Sequence, residues 1–319
     1  MLRYLVILLD DTSVSYCHYR NERTDRKLIA LDDLKAGIFF AMKEILLIQF
    51  VYPDYELPQE YKDAVNSIDH SKIVPFNGIE RGDIWVIDGW NDCELSRLEE
   101  KGTYVLTLTK NDFFANVSQI KGIISKVFRL NVVLTDIDTF GEDDFKTYND
   151  CLHQISQEIE DLYSKGRPHQ FNLLTDRMVL DTMNNCNAGW ENITLAPDGK
   201  FYVCPAFYQA NSEIIIENGT SVLGDLRNGI NVKNQQLFKL EYSPLCRKCD
   251  AHHCKRCVWM NRKTTFEVNT PSHEQCVVAH IERNESRTLL NRLHEKGVLL
   301  SYNEIKQIDY LDPFDICLN

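Results

Sequence analysis

At 319 residues the chain is long enough for one large domain or two ordinary ones, each with a core of its own. Hydrophobic content of 44% and charged content of 26% are those of a globular protein and exclude dominant disorder. The net charge of −12 argues against a general nucleic-acid binder, which needs a basic surface to displace counterions from phosphates.

The opening MLRYLVILLDD has an apolar stretch, Tyr4 to Leu9, too short for a signal peptide and running straight into Asp10 and Asp11. No apolar run approaches the ~20 residues that span a bilayer, so the expectation is a cytoplasmic protein with neither membrane nor nucleic-acid partner. Tyr4 to Leu9, Ile45 to Val51, Asp83 to Ile87, Thr103 to Leu108 and Leu130 to Leu134 are short, rich in Val, Ile and Leu, and predict strands buried on both faces. Between the last two, Phe113, Val117, Ile120, Ile124 and Val127 form one apolar stripe and predict a helix over 111–128. Phe145, Tyr148, Leu152, Ile155, Ile159 and Leu162 do the same for a helix over 143–163. Strands alternating with helices imply an α/β fold with a mainly parallel sheet.

Gly166 and Pro168 break that helix, and the pattern changes near Thr175, which divides the chain into an α/β unit, 1–175, and a cysteine-rich unit, 176–319. In the second unit Pro197-Asp198-Gly199 is a turn signal between Ile193 to Leu195 and Phe201 to Val203, predicting a hairpin that brings Cys186 and Cys204 to the same end. Little helix is expected before Val277; from there to Lys296 the spacing is helical, with Gly297 as the stop.

Of the eleven cysteines, Cys17, Cys93, Cys151 and Cys317 are scattered, and seven crowd between Cys186 and Cys276. Without an export signal, disulfides are not the default, and metal or redox chemistry is. The pattern is Cys186, twelve residues, Gly199, four residues, Cys204; then Cys246-x2-Cys249-x4-Cys254-x2-Cys257; then Cys276. Closely spaced thiolates on loops suit cubane iron-sulfur clusters, whose irons each take one thiolate. Structural zinc is the alternative. A four-cysteine zinc site normally separates its pairs by ~12 residues or more, which makes the gap between Cys249 and Cys254 cramped, although His252 and His253 suit a small zinc knuckle. Arg247, Lys248, Lys255, Arg256, Arg262 and Lys263 surround the quartet, opposed locally by Asp250; cations there stabilise an anionic cluster. Trp190 and Trp259 are expected as apolar shielding. Asp10, Asp11, Asp136 and Asp138 each follow a predicted strand, where α/β proteins place ligands, but ordinary strand-ending polar residues are the favoured reading. There is no P-loop, dinucleotide fingerprint or His-Glu-x2-His.

All seven clustered cysteines match the pattern of the SPASM domain, the auxiliary-cluster module of many radical SAM peptide-modifying enzymes, which this stretch resembles. The second and third gaps of the quartet are each one residue shorter than the usual ones. The resemblance implies two 4Fe-4S clusters: Cys186, Cys204 and Cys257 on one, Cys246, Cys249, Cys254 and Cys276 on the other. The first set lacks a fourth cysteine. An upstream cysteine supplies it in some family members, and the nearest here is Cys151; otherwise one iron is open to a histidine, a carboxylate or a substrate thiolate.

A radical SAM enzyme also needs Cys-x3-Cys-x2-Cys after its first strand. This chain has no such motif; Asp10-Asp11-Thr12-Ser13 occupies the loop and Cys17 alone lies near it. SAM binding and cleavage are therefore not expected. The amino-terminal unit resembles a degenerate, partial radical SAM barrel, short for a full barrel of ~200 residues or more. Together with the opening YLVILLDDTSVSYCHY, these features make the whole chain similar to the CXXX-repeat peptide maturase family. That resemblance implies a cysteine-rich precursor peptide as partner, with no implied reaction. The alternatives are a non-catalytic scaffold or electron carrier serving a separate modifying enzyme, and a structural zinc protein.

Overall fold

The computed structural model describes residues 2–90, 94–210, 222–298, 304–308 and 310–313. Its frame is one sheet in the order β11-β10-β9-β8-β1-β2-β3-β4-β5-β6-β7. The strands β1 (Tyr4–Leu8), β2 (Leu47–Val51), β3 (His70–Pro75), β4 (Ile84–Asp88), β5 (Thr103–Leu108), β6 (Arg129–Leu134) and β7 (Gln170–Phe171) pair in chain order, all parallel. On the other side of β1 lies β8 (Asn192–Leu195), also parallel to it, followed by the antiparallel β9 (Lys200–Tyr202), β10 (Val222–Asp225) and β11 (Gly229–Ile230). This is the parallel α/β architecture the strand and helix alternation predicts, and sheet and core both run across Thr175.

Each of the five predicted strands is present with ends shifted by a few residues at most. β3 is not marked by the sequence pattern, because HSKIVP mixes polar residues with apolar ones and ends on proline. The predicted helix over 111–128 is two: α3 (Lys110–Ala115) and α4 (Val117–Ile124), broken at Asn116, whose backbone leaves the helical region (φ −125°, ψ 28°) and whose Nδ2 donates to the Asp112 carbonyl at 2.7 Å. The stripe survives the break, since Phe113, Val117, Ile120, Ile124 and Val127 are all buried. The next helix, α5, runs Glu142–Ser164 with all six expected residues inside. Helices α1 (Leu31–Glu44) and α2 (Gln59–Val65) cover β1 to β3, and the short α6 (Thr175–Val179) and α7 (Ala206–Gln209) lie in the second half.

The cysteine-rich segment also holds α8 (Val258–Thr265), which the sequence pattern does not mark, and α9 (His273–Glu295), which starts a turn before Val277 because Ser272 caps it by accepting from the Gln275 amide at 3.2 Å. Gly297, at φ +67°, ends α9, and Val298 donates back to the Leu293 carbonyl at 3.0 Å. α9 lies along α5, where Ser156 bonds Glu285, Tyr148 bonds Glu282 and Arg292 bonds Glu160. No described helix is long and apolar enough to cross a membrane.

Candidate metal centre

Cys246, Cys249, Cys254 and Cys276 line one nearly apolar cavity, together with Leu245, Ala251, Pro271 and Ala279. The first three come from a segment with little regular structure, and Cys276 from the first turn of α9. Irregular backbone turns its amides toward the sulfurs: Ala251 N lies 3.4 Å from Cys249 Sγ, and Arg256 N lies 3.4 Å from Cys254 Sγ. One turn along α9, His280 places Nε2 3.4 Å from Cys249 Sγ. Its Nδ1 faces the Leu311 carbonyl, which fixes the tautomer: Nδ1–H donates to Leu311, and Nε2 accepts from the thiol. Burial pushes the Cys246 thiol up to about 11 and raises Cys254 and Cys276 further, each also feeling the charge of its neighbours. Bare, these groups are thiols; as thiolates they need a cation or cluster among them.

The second group gathers where β9 and the quartet segment meet. The β8–β9 hairpin turns at Gly199, which sits at φ +76° as the expected turn requires and leaves Cys186 before β8 and Cys204 after β9 at the same open end. Cys186 N donates to the Lys255 carbonyl at 3.2 Å, which fastens it beside the quartet segment. Cys257 stands at the N-cap position of α8 and makes no side-chain cap hydrogen bond. Burial, then the charge of Cys186, pushes the Cys257 thiol up to about 12. Cys204 is raised by burial and then by Cys257, Cys186 and Cys17. Lys255 lies between the two groups: its ammonium feels both Cys186 and Cys254, and it lines a cavity with Cys254 and Cys257.

Cys151, the nearest upstream cysteine in sequence, joins neither group. It is buried on α5 in the core formed with β5, β6 and α9, and beyond burial it feels only Asp150. Cys93 and Cys317 lie outside the described residues.

The expected basic surround is rearranged. Arg256 is 1% exposed and binds Ser243 Oγ at 2.6 Å and the Phe238 carbonyl at 2.5 Å, with its charge on the Cys246 side. Lys263 pairs with Asp138 at 2.7 Å instead, and Arg262 bonds the Phe266 carbonyl at the end of its own helix. Asp250 is held by Arg283, at 2.6 and 2.8 Å, and by Arg177 at 3.1 Å; both guanidiniums also lower the Cys249 thiol, which burial raises. Arg177 and Arg283 carried no sequence signal, because they reach the quartet from α6 and α9. Trp259 is buried edge-on to Phe207, at 5.3 Å, whereas Trp190 lies under the Lys239 ammonium, 3.8 Å from its ring. The four strand-ending aspartates are occupied structurally. Asp10 accepts from Thr12 and Tyr55, Asp11 pairs with Arg23 and accepts from Tyr208, Asp136 accepts from the Lys110 amide, and Asp138 takes Lys263.

Among the described residues, no three histidine, cysteine, aspartate or glutamate side chains converge where a single ion would sit. A cubane asks for a wider setting, because each thiolate meets a different iron. Four thiols around one apolar cavity, Cys246 buried and Cys249, Cys254 and Cys276 partly buried, with amides aimed at two of the sulfurs, fit that requirement.

No protein-family model and no curated protein matches this chain. Among solved structures it is similar to native anSMEcpe with bound AdoMet and Cp18Cys peptide, at a TM-score of 0.58 and 11% identity, over 92% of this chain and 100% of that one. Histidine-tagged anSMEcpe with bound AdoMet aligns at a TM-score of 0.57 and 9% identity, over 94% of this chain and 97% of that one. At such identities the likeness is one of fold. The fold is mixed α/β with a mainly parallel sheet, as in those neighbours.

Proposed function

We propose that this chain is a cytoplasmic iron-sulfur protein of peptide maturation, which binds a ribosomally made cysteine-repeat peptide and does not itself cleave AdoMet. The observation that carries the reading is the cavity ringed by Cys246, Cys249, Cys254 and Cys276. Those four residues would hold one 4Fe-4S cluster, and Cys186, Cys204 and Cys257 would hold a second. When bound, the clusters supply electron transfer. Around them the chain's own residues act on charge and access: Arg177, Arg256 and Arg283 offset the negative charge of the thiolates, and Trp259 keeps water from the second set.

Two observations support the rest. The fold likeness extends over nearly the whole chain to a protein solved with bound peptide. The loop where a SAM-binding cysteine motif belongs holds Asp10 to Ser13 instead, and these side chains are committed to hydrogen bonds within the loop and to β2, Tyr55 and Tyr208. The same loop favours a second reading, a scaffold or electron donor for a separate modifying enzyme. In either case an α/β part and a SPASM-like part, meeting near Thr175, share one continuous sheet.

Anaerobically purified protein is expected to contain about eight irons and eight sulfides per chain, with no stoichiometric zinc. Zinc without sulfide would overturn the reading. A purified Cys-repeat peptide should bind; a change in its mass with this protein alone makes the chain an enzyme, and binding without a change makes it the scaffold.

A further inference from the structure

The second set has three cysteines from the clustered run, and the cubane takes four ligands. The loop that follows β1 runs from Asp10 to Ile29 across the carboxy-terminal end of the sheet and is fastened on three sides. Ser13 Oγ donates to the Val51 carbonyl at 2.8 Å and Val14 N to the Tyr52 carbonyl at 3.0 Å, which ties it to the end of β2. His18 Nδ1 donates to the Leu134 carbonyl at 2.9 Å, at the end of β6. On the third side it docks on α7, directly after Cys204: Tyr19 Oη donates to Gln209 Oε1 at 2.6 Å, Gln209 Nε2 to the Ser13 carbonyl at 2.7 Å, and Arg23 Nε to the Tyr208 carbonyl at 2.9 Å.

Cys17 sits between the β6 and α7 fastenings. It packs with Cys204 and Cys257 against the same hydrophobic core, and the adjacent His18 lines the cavity that also borders Cys254, Lys255 and Cys257. Its neighbours pack into that core as well: Tyr16 lies against it and Tyr19 is buried within it.

We infer that Cys17 is the fourth thiolate ligand of the cluster held by Cys186, Cys204 and Cys257. The second site is then closed from within the chain, by the one cysteine remaining where a SAM-binding cluster would otherwise sit, and no peptide thiolate is needed to complete it. Cys151, with its thiol in the α5 core, supplies nothing.

The inference rests on the iron-sulfur reading, and the test separates the two. Full-length wild-type protein, Cys17→Ala, Cys17→Ser and Cys151→Ala are purified anaerobically and assayed for iron and sulfide. Each is then oxidised with ferricyanide, which takes one electron from a four-iron cluster with an unanchored corner and releases that corner as a ferrous ion, leaving a three-iron cluster with its own EPR signal. Cys17→Ala is expected to give at least ~10-fold more three-iron signal than wild type, approaching one per chain. Cys151→Ala should match wild type. Cys17→Ser, with an oxygen ligand, should fold as wild type and keep four irons at the site with a shifted EPR spectrum in the reduced state, which covers the case in which Cys17→Ala loses the cluster entirely. Two clusters in wild type, with Cys17→Ala and Cys17→Ser spectra identical to it, would overturn the ligand assignment alone. A wild-type chain without sulfide would overturn the reading beneath it.

Discussion

Asp250 shows how a single residue ties the quartet to the rest of the chain. It is the neighbour of Cys249, and its carboxylate is gripped by Arg283 from α9 and Arg177 from α6. Burial pushes that carboxyl up, yet the two guanidiniums more than offset it and leave it below the ordinary carboxylate range. Arg283 has a fully buried side chain, so Arg283→Ala removes one cation from a buried set and leaves Asp250 under-compensated. A loss of about 3–5 kcal/mol is expected in denaturant unfolding, the scale for breaking a buried pair by deleting one partner. The same substitution takes positive charge from beside Cys249 and, with a cluster on the quartet as proposed, is expected to lower its reduction potential in a redox titration. A potential unchanged in a folded variant would mean that the guanidinium acts on the backbone only. None of this is legible in the sequence, where the conspicuous cations are the lysines and arginines beside the cysteines themselves. The run Arg247 to Lys263 predicts a local surround, and the fold brings its decisive members from elsewhere.

At the scale of elements, apolar periodicity carries a long way. It marks β1, β2, β4, β5, β6 and α5, because these are buried on a whole face or on both and their patterns are unbroken. It does not mark the break at Asn116, which depends on one side chain bonding back to the backbone. Nor does it mark α8, whose buried residues fall in its first turn and whose remainder is polar. The thiols follow the same division. Spacing brings out the seven that lie close in sequence, whereas the placement of Cys17 depends on a loop tied to two strand ends and a helix. α9 also supplies a pH-sensitive tie. His273, its first residue, bonds Asp312, and that bond, with Glu274 and Glu142 nearby, raises the imidazole above its ordinary 6.5. A raised histidine stabilises while it is protonated. The contribution is whole below the ordinary value and is lost as pH climbs through the raised one. Docking of residues 310–313 should therefore weaken by less than about 1 kcal/mol from mildly acidic to alkaline pH, since the imidazole is partly exposed. Hydrogen exchange of that segment should quicken over that range in wild type and be independent of pH, after correction for intrinsic exchange, in His273→Gln.

The whole molecule divides its stability unevenly. From β1 to α5 the chain is a continuous α/β layer with a large apolar core, whereas Leu226 to Cys257 holds a two-residue strand and single turns. Such a segment gains most of its order from what its thiols bind. Removal of iron by a chelator under mild oxidation is expected to lower the melting temperature by ~10 °C or more, at roughly 2–4 °C per kcal/mol for a chain of this size class. Hydrogen exchange should then rise first in Leu226 to Cys257 and last in β5, β6 and α5. Uniform loss of protection would show instead that the clusters support the entire sheet.

The placement of β1 between β2 and β8 bears on the timetable of biogenesis. During synthesis β1 emerges before both of its neighbours, and the second arrives only with Asn192–Leu195. The loop it leads into waits longer, for Tyr208 and Gln209, and the thiols of Cys257 and Cys276 follow later still. Long-range closure of this kind is slow to form. If these thiols take clusters, loading must wait until the chain has been made through Cys276, and a nascent chain stalled before α9 would offer an incomplete berth.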